Sequence, residues 1–281
     1  MFEDKTVAEN LMSSLVNELI EASQKSTADG KSDYQSVTLE KLERLKQVIP
    51  VWEIETEQVN EEAIDRKANM FGGQPFTSEK HPWPLTENGS PYYPLAQLDL
   101  QKISDLQKID LGSGLLQVWL DITDADLPHT MRLIDPADMD ESLLLDIPTL
   151  ESTNEIDEHG MWFGRSLRFS YKFLGYMLPP CYRDDIEWDL DRILSESEEN
   201  VLAKIEQASE ENGYQSLSTN WLLGHPDRGS GSPAGRYEPV PMNLIQLAKS
   251  DVFPMADVSR YANIFYSNAD GDTDYFFDWN G

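Results

Sequence analysis

The chain has 281 residues, 51 acidic and 22 basic, for a net charge of −29, and 40% of it is hydrophobic, with ten Phe, eleven Tyr and seven Trp. That apolar content supports a folded core and excludes the disordered class, while the charge excludes nucleic acid and anionic lipid, both of which are held through Lys and Arg. The single cysteine, Cys181, excludes an internal disulfide and a cysteine zinc site.

Residues 5–23 read as an amphipathic helix, with Val7, Leu11, Leu15, Val16, Leu19 and Ile20 at three- and four-residue steps. After an exposed Ser/Gly/Lys-rich loop, a second helix is predicted from Thr38 as N-cap through Leu39, Leu42, Leu45 and Ile49, stopping at Pro50. This N-terminal helical hairpin, residues 1–50, is expected to pack on the main body, since a lone short hairpin is marginal. The alternative is a separate arm.

The remaining residues, 51–281, are read as one domain organised around 71–122. There Phe71-Gly72-Gly73-Gln74-Pro75, Trp83-Pro84 and Gly89 supply corners between apolar runs. Strands are predicted over 94–100 and 115–122, with Gln97 and Asp99 on one face of the first and Gln117 and Asp121 on one face of the second. The 101–114 connection is too short for a parallel crossover through a long helix, so the pair is antiparallel. Residues 123–160 are acidic and read as loop. Residues 167–173 form a half-buried strand, with Leu167, Phe169, Tyr171 and Phe173 inward and Arg168, Ser170 and Lys172 outward. Ser195 with Glu198 marks a capping box, followed by the stripe Val201, Leu202, Ile205 and Ala208 and a stop at Asn212-Gly213. Strands return over 243–248, 262–267 and 275–279, the last two joined by a turn at 268–274.

Gly73-Gln74-Pro75 followed by Leu95-Ala96-Gln97-Leu98 is echoed by Gly224-His225-Pro226 followed by Leu244-Ile245-Gln246-Leu247. Gly224 follows Gly73 by 151 residues and Gln246 follows Gln97 by 149. The fold class implied is α+β, with mixed or antiparallel sheets from two pseudo-repeated units (about 71–180 and 215–281), flanking helices and the helical hairpin. A crevice between such halves is the natural ligand site. Its candidate residues are Gln97, Asp99, His225, Gln246 and Asp251.

Catalytic signatures are absent: there is no G-x-x-x-x-G-K-[ST], no G-x-G-x-x-G after a strand, no H-E-x-x-H and no G-x-S-x-G. Gly229 to Gly235 reads as a linker, and Asn268 to Asp274 as a hairpin turn rather than a calcium loop, since Gly and Glu miss their EF-hand positions. His81, His129, His159 and His225 have no metal spacing between them. No metal or cofactor is expected. With no export signal and no run of 18 apolar residues, a reducing cytoplasm is the expected compartment.

Phe71-Gly72-Gly73-Gln74-Pro75, Trp83-Pro84, Leu95-Ala96-Gln97-Leu98-Asp99, Gly114-Leu115-Leu116-Gln117, Leu223-Gly224-His225-Pro226, Leu244-Ile245-Gln246-Leu247 and the closing Asp270-Gly271 with Tyr275-Phe276-Phe277 together resemble the YwqG-like family of bacterial proteins, a domain of unknown function. The resemblance covers residues 70–279 and implies an α+β fold with no established activity or catalytic set. It also implies company among toxin and immunity genes. The expected function is a non-enzymatic cytoplasmic binding protein, an immunity protein that neutralises a basic toxin, with Trp162, Trp188 and Trp221 as partner-facing anchors. The alternative is a small-molecule or glycan-binding domain, or an unfamiliar hydrolase, at the crevice. A −29 charge also serves plain solubility.

Overall fold

Alternating apolar and polar residues put much of this chain into strands. The computed structural model describes residues 1–28, 42–43, 45–59, 65–107, 110–121, 128–140, 142, 144–146, 167–179, 194–214, 220–224, 242–248, 261–269 and 272–280. The helices are α1 (Lys5–Ala28), α2 (Leu100–Gln107) and α3 (Glu196–Ser209). The strands are β1 (Ile49–Gln58), β2 (Met70–Phe71), β3 (Tyr93–Asp99), β4 (Leu115–Leu120), β5 (His129–Ile134), β6 (Leu167–Met177), β7 (Trp221–Leu223), β8 (Met242–Ala248), β9 (Tyr261–Ala269) and β10 (Asp272–Asn280). They form one sheet in the order β10-β9-β8-β7-β1-β6-β2-β3-β4-β5, so consecutive strands lie side by side within two runs, β2 to β5 and β7 to β10. Every ladder whose register is described is antiparallel, and the fold is α+β.

The chain divides into two compact units. The first takes Met1–Glu53, Phe173–Leu217 and Leu223–Asp227, the second Ile54–Lys172, Ser218–Leu222 and Arg228–Gly281. In the first, Ala8, Met12, Val16 and Leu19 form the buried stripe of α1 and pack with Val201, Leu202 and Ile205 of α3, the interlock expected of two apolar helix faces. Leu42 and Val48 join the same cluster. Helix α3 starts where the sequence marks it: Glu198 accepts from Ser195 N (2.8 Å) and Ser195 Oγ (2.7 Å).

Several expectations change here. Leu42 and Glu43 are helical, but residues 29–41 lie outside the described residues, and Ile49 and Pro50 open strand β1 instead of closing a helix. Proline is tolerated at a strand's start, where no ladder donor is lost. Phe173, expected inward, is 44% exposed; its ring leans on Trp52 (5.1 Å) and Tyr176 (5.3 Å) rather than on a core. Within 123–160, residues 129–134 are strand β5, not loop.

In the second unit β3 and β4 are buried on both faces. Tyr266 Oη donates to the Asp110 carbonyl (3.1 Å) and Tyr275 Oη to that of Leu111, which ties β9 and β10 to the turn ahead of β4. The His129 ring of β5 meets Phe277 of β10 edge-on at 5.1 Å, so the two ends of the strand order approach each other. The last two strands reach farther than expected: Ala269 pairs with Asp272, leaving a two-residue connection.

Two stretches share local geometry. Register shifts between Pro94 and Ala96 against β4, and between Asn243 and Ile245 against β9. Met70 lies opposite Gln97, and Trp221 opposite Gln246. Positive φ follows in both: Gly72 and Gly73 at 62° and 67°, Leu223 and Gly224 at 57° and 74°.

Gly114 has φ +105°, and a Cβ there would land on the Ile134 carbonyl oxygen, with Pro136 Cδ at 3.4 Å. Backbone strain of that kind costs about 1–3 kcal/mol before the clash is relieved. Gly114→Ala is therefore expected to lose at least about 2 kcal/mol in urea unfolding, whereas Gly89→Ala, with nothing within 4 Å of the added Cβ, should lose only the φ term.

Candidate functional site

Gln97 and Gln117 face each other across β3 and β4, and both are fully buried. A buried primary amide needs acceptors for two N–H groups and donors for its oxygen. These two find them by gripping one residue of the segment laid over the strands. Phe76 N donates to Gln97 Oε1 (2.9 Å), and Gln117 Nε2 donates to the Phe76 carbonyl (2.8 Å). Gln117 Nε2 also donates to Gln97 Oε1 (2.7 Å), while Gln97 Nε2 donates to the carbonyls of Arg66 (2.9 Å) and Ala68 (2.8 Å). Gln97 thus has both donors and its oxygen engaged by the chain itself.

Arg132 continues the row on β5, opposite Gln117. Its Nε donates to Gln117 Oε1 (2.7 Å), its Nη1 to the Pro82 carbonyl, and its guanidinium carbon lies 5.2 Å from the centre of the Trp119 ring. Burial pulls its pKa down to about 10. Arg66 holds the segment from the other side: Nε and Nη2 donate to the Pro75 carbonyl (3.1 and 2.9 Å), Nη2 to Thr77 Oγ1 (2.6 Å) and Nη1 to the Leu145 carbonyl (2.8 Å). Its pKa is also lowered, by burial first, with Asp146 acting the other way. Between the two arginines Phe76 fills an apolar cluster with Leu115, Ile134, Met139 and Leu144.

The remaining sequence-predicted residues are placed as follows. Asp99 Oδ1 accepts from Lys102 N (3.1 Å) and its Oδ2 pairs with Lys102 Nζ (2.9 Å), so it caps the first turn of α2. Gln97 and Asp99 share a strand. Gln246 is not beside them: β7, β1, β6 and β2 lie between β8 and β3 in the sheet. Gln246 stands opposite Trp221 on β7 and Asn263 on β9. Trp221, expected as a partner-facing anchor, is 2% exposed and therefore a core residue. His225, Asp251, Trp162 and Trp188 lie outside the described residues.

Sequence reasoning missed Phe76, Arg66 and Arg132 as members of the row, and Asn263 beside Gln246. Gln117 carried the same signal as Gln97, a polar residue inside an apolar strand. At the rim, Asp138 accepts from Lys80 Nζ (2.6 Å) and approaches His81 Nε2 (3.2 Å); the Lys80 hydrogen bond, then that of His81, holds its carboxyl below the usual range. Among the described residues no group of three or more His, Cys, Asp or Glu is placed to hold a metal ion, and no helix is long and apolar enough to cross a membrane. Chemically the row is a positioning device: it fixes a stretch of main chain by both its N–H and its C=O.

Comparison with known families places residues 69–258 in the match of a family described as a domain of unknown function (DUF1963). That span runs from just before β2 to beyond β8 and takes in the whole Gln97–Gln117–Arg132 row. No curated protein matches the chain.

Replacing Gln97 by Leu leaves the buried Phe76 N–H without its partner, at about 1–3 kcal/mol, and also takes the amide donors from the half-buried Arg66 and Ala68 carbonyls and the acceptor from Gln117 Nε2. The expected loss in urea unfolding exceeds about 3 kcal/mol. Gln101→Ala, on the exposed face of α2, should stay within about 0.5 kcal/mol of the parent. A second expectation concerns His129, which is exposed along part of its surface but rests its ring on Phe277; the partial desolvation of that ring lowers its pKa, with Asp278 opposing. A base with a depressed folded pKa stabilises the fold above its unfolded value of 6.5 and loses that contribution as pH falls below it. Between pH 7.5 and 5.5 the parent's unfolding midpoint should therefore drop more than that of His129→Gln; identical slopes would remove the effect.

Proposed function

The chain belongs to this family of domains of unknown function, and from that premise we propose that it is a non-enzymatic binding protein that captures a basic protein partner through its anionic exterior. The observation that carries the reading is the excess of 51 acidic over 22 basic residues. Described carboxylates at Glu55, Glu57, Glu79, Glu87, Asp105 and Asp110 are exposed on the second unit. Such a field steers a cationic partner and speeds its capture, and it disfavours anionic ones. The polar interior supports the same reading from the other side, since the Gln97 and Gln117 amides are spent on the chain's own backbone, on each other and on Arg132. A bacterial toxin is the basic partner that the YwqG-like resemblance suggests, and cytoplasmic neutralisation is the role that goes with it.

The scaffold for this capture is, in the same proposal, a duplicated strand unit. Its support is the matched bulge two residues before Gln97 and Gln246, the matched opposition of Met70 and Trp221, and the matched pair of positive-φ residues after each. Leu223 bears on this most, because a leucine at φ 57° has no local reason to be there.

The test uses the full chain and the basic product of a neighbouring reading frame. Association followed by stopped-flow fluorescence should slow at least ten-fold between low and high salt, because exposed charges are screened beyond a few ångströms at molar ionic strength. Charge reversal at Glu55 and Glu57 should slow association with little change in dissociation. A salt-independent rate, or an equally fast capture of a strongly anionic protein, would sink the reading.

A further inference from the structure

The hydrogen-bond row across β3, β4 and β5 has a direction. Arg132 Nε donates to Gln117, Gln117 Nε2 donates to Gln97, and Gln97 Nε2 donates to the carbonyls of Arg66 and Ala68. Donors point one way along the whole row, so each bond polarises the next. The Arg132 end keeps the surplus N–H groups and the charge.

Two donors at this end, one on Arg132 and one on the neighbouring Trp119, have no acceptor among the described residues. Arg132 Nη2 is closed to solvent and finds no acceptor among the described residues, and the same holds for Trp119 Nε1. The two side chains are in contact, guanidinium over indole, and Trp119 is 0% exposed. Its neighbour Trp83, edge-on at 4.8 Å, has already given its Nε1–H to the Tyr92 carbonyl. No carboxylate stands in for the missing acceptor among the described residues: Asp138, which follows β5, is engaged by Lys80 and His81 instead. In a chain with 51 acidic residues, a largely buried arginine without one is a conspicuous choice.

We propose that Arg132 Nη2 and Trp119 Nε1 are the donor pair of a binding site for a small free carboxylate. Two N–H groups beside one positive charge ask for an acceptor that is also an anion. A water molecule accepts from both nitrogens but needs acceptors for its own protons and leaves the guanidinium uncompensated. A carboxylate supplies the opposite charge together with an oxygen for each N–H, and its hydrogen bond to Nη2 is charge-assisted. A phosphate dianion meets twice the repulsion from the −29 chain, and chloride offers a single centre. Because both nitrogens are closed to solvent, the ligand is small.

The test is a titration of the uniformly 15N-labelled full chain with sodium acetate, sodium chloride and sodium phosphate at constant ionic strength, following the indole N–H signals. The Trp119 signal is identified by its loss in Trp119→Phe. Acetate is expected to displace that signal, or to give it a second position, saturably and in the millimolar range, leaving the other indoles in place. Arg132→Lys keeps the positive charge but lacks the second nitrogen, and should weaken the response at least ten-fold; Glu21→Gln, a change at an exposed carboxylate of α1, should leave it unchanged. A Trp119 signal unmoved by acetate overturns the site, as does one that moves equally with chloride or together with every other indole. Tighter saturation by phosphate than by acetate overturns the ligand class.

Discussion

One residue held by two amides is the constraint from which the described part of the second unit follows. Main chain without a ladder neighbour cannot lie on a buried sheet face, because its N–H and C=O lose water and gain nothing. Phe76 escapes this because Gln97 takes its N–H and Gln117 takes its C=O. The two glutamines do for a loop what an extra strand would do for a strand. With the backbone satisfied, the Phe76 ring is free to fill the space over Leu115 and Ile134. The arginines on either side then fix where the segment arrives and leaves, through the carbonyls of Pro75 and Leu145 at one end and of Pro82 at the other.

The same logic governs the turn ahead of β4. There Tyr266 and Tyr275 send hydroxyls to the carbonyls of Asp110 and Leu111, and burial pushes the Tyr275 phenol up to about 12, so it remains a neutral donor at any physiological pH. Ser104 Oγ accepts from Leu111 N (3.1 Å) in the same turn. Side chains from strands distant in sequence thus replace the regular hydrogen bonds that a glycine-cornered turn cannot make for itself. An irregular connection is held as firmly as an element of secondary structure, at the expense of polar residues that look functional when seen in one dimension.

That is why the fold was more legible in the sequence than the site. Strands β3, β4, β6, β8, β9 and β10 show themselves by alternation and by their corners, and α3 by its capping box. Strand β1 is equally open to view, since Trp52-Glu53-Ile54-Glu55-Thr56-Glu57 alternates strictly; a proline at its second position, Pro50, mimics a helix stop. Strand β5 hid because it sits between acidic stretches and all of its side chains but Ile134 are exposed or half-exposed. The row itself was not legible at all beyond its glutamines. Arg66, Phe76, Gln97, Gln117 and Arg132 are spread along the chain from 66 to 132, and only register brings them into line.

A glutamine inside an apolar strand therefore carries two meanings that sequence alone cannot separate, one a ligand's partner and the other a loop's. The hydrogen-bond inventory separates them. Where both donors and the oxygen end on main chain, as at Gln97, the residue belongs to the scaffold, and removing it costs stability before it costs anything else. Where the inventory fails to close, as at Arg132 Nη2 and Trp119 Nε1, the unspent donors mark the place where this scaffold still has something to offer another molecule. The saturated and the unsaturated groups are neighbours on one row, so the rigidity that the first supply is what keeps the second in position.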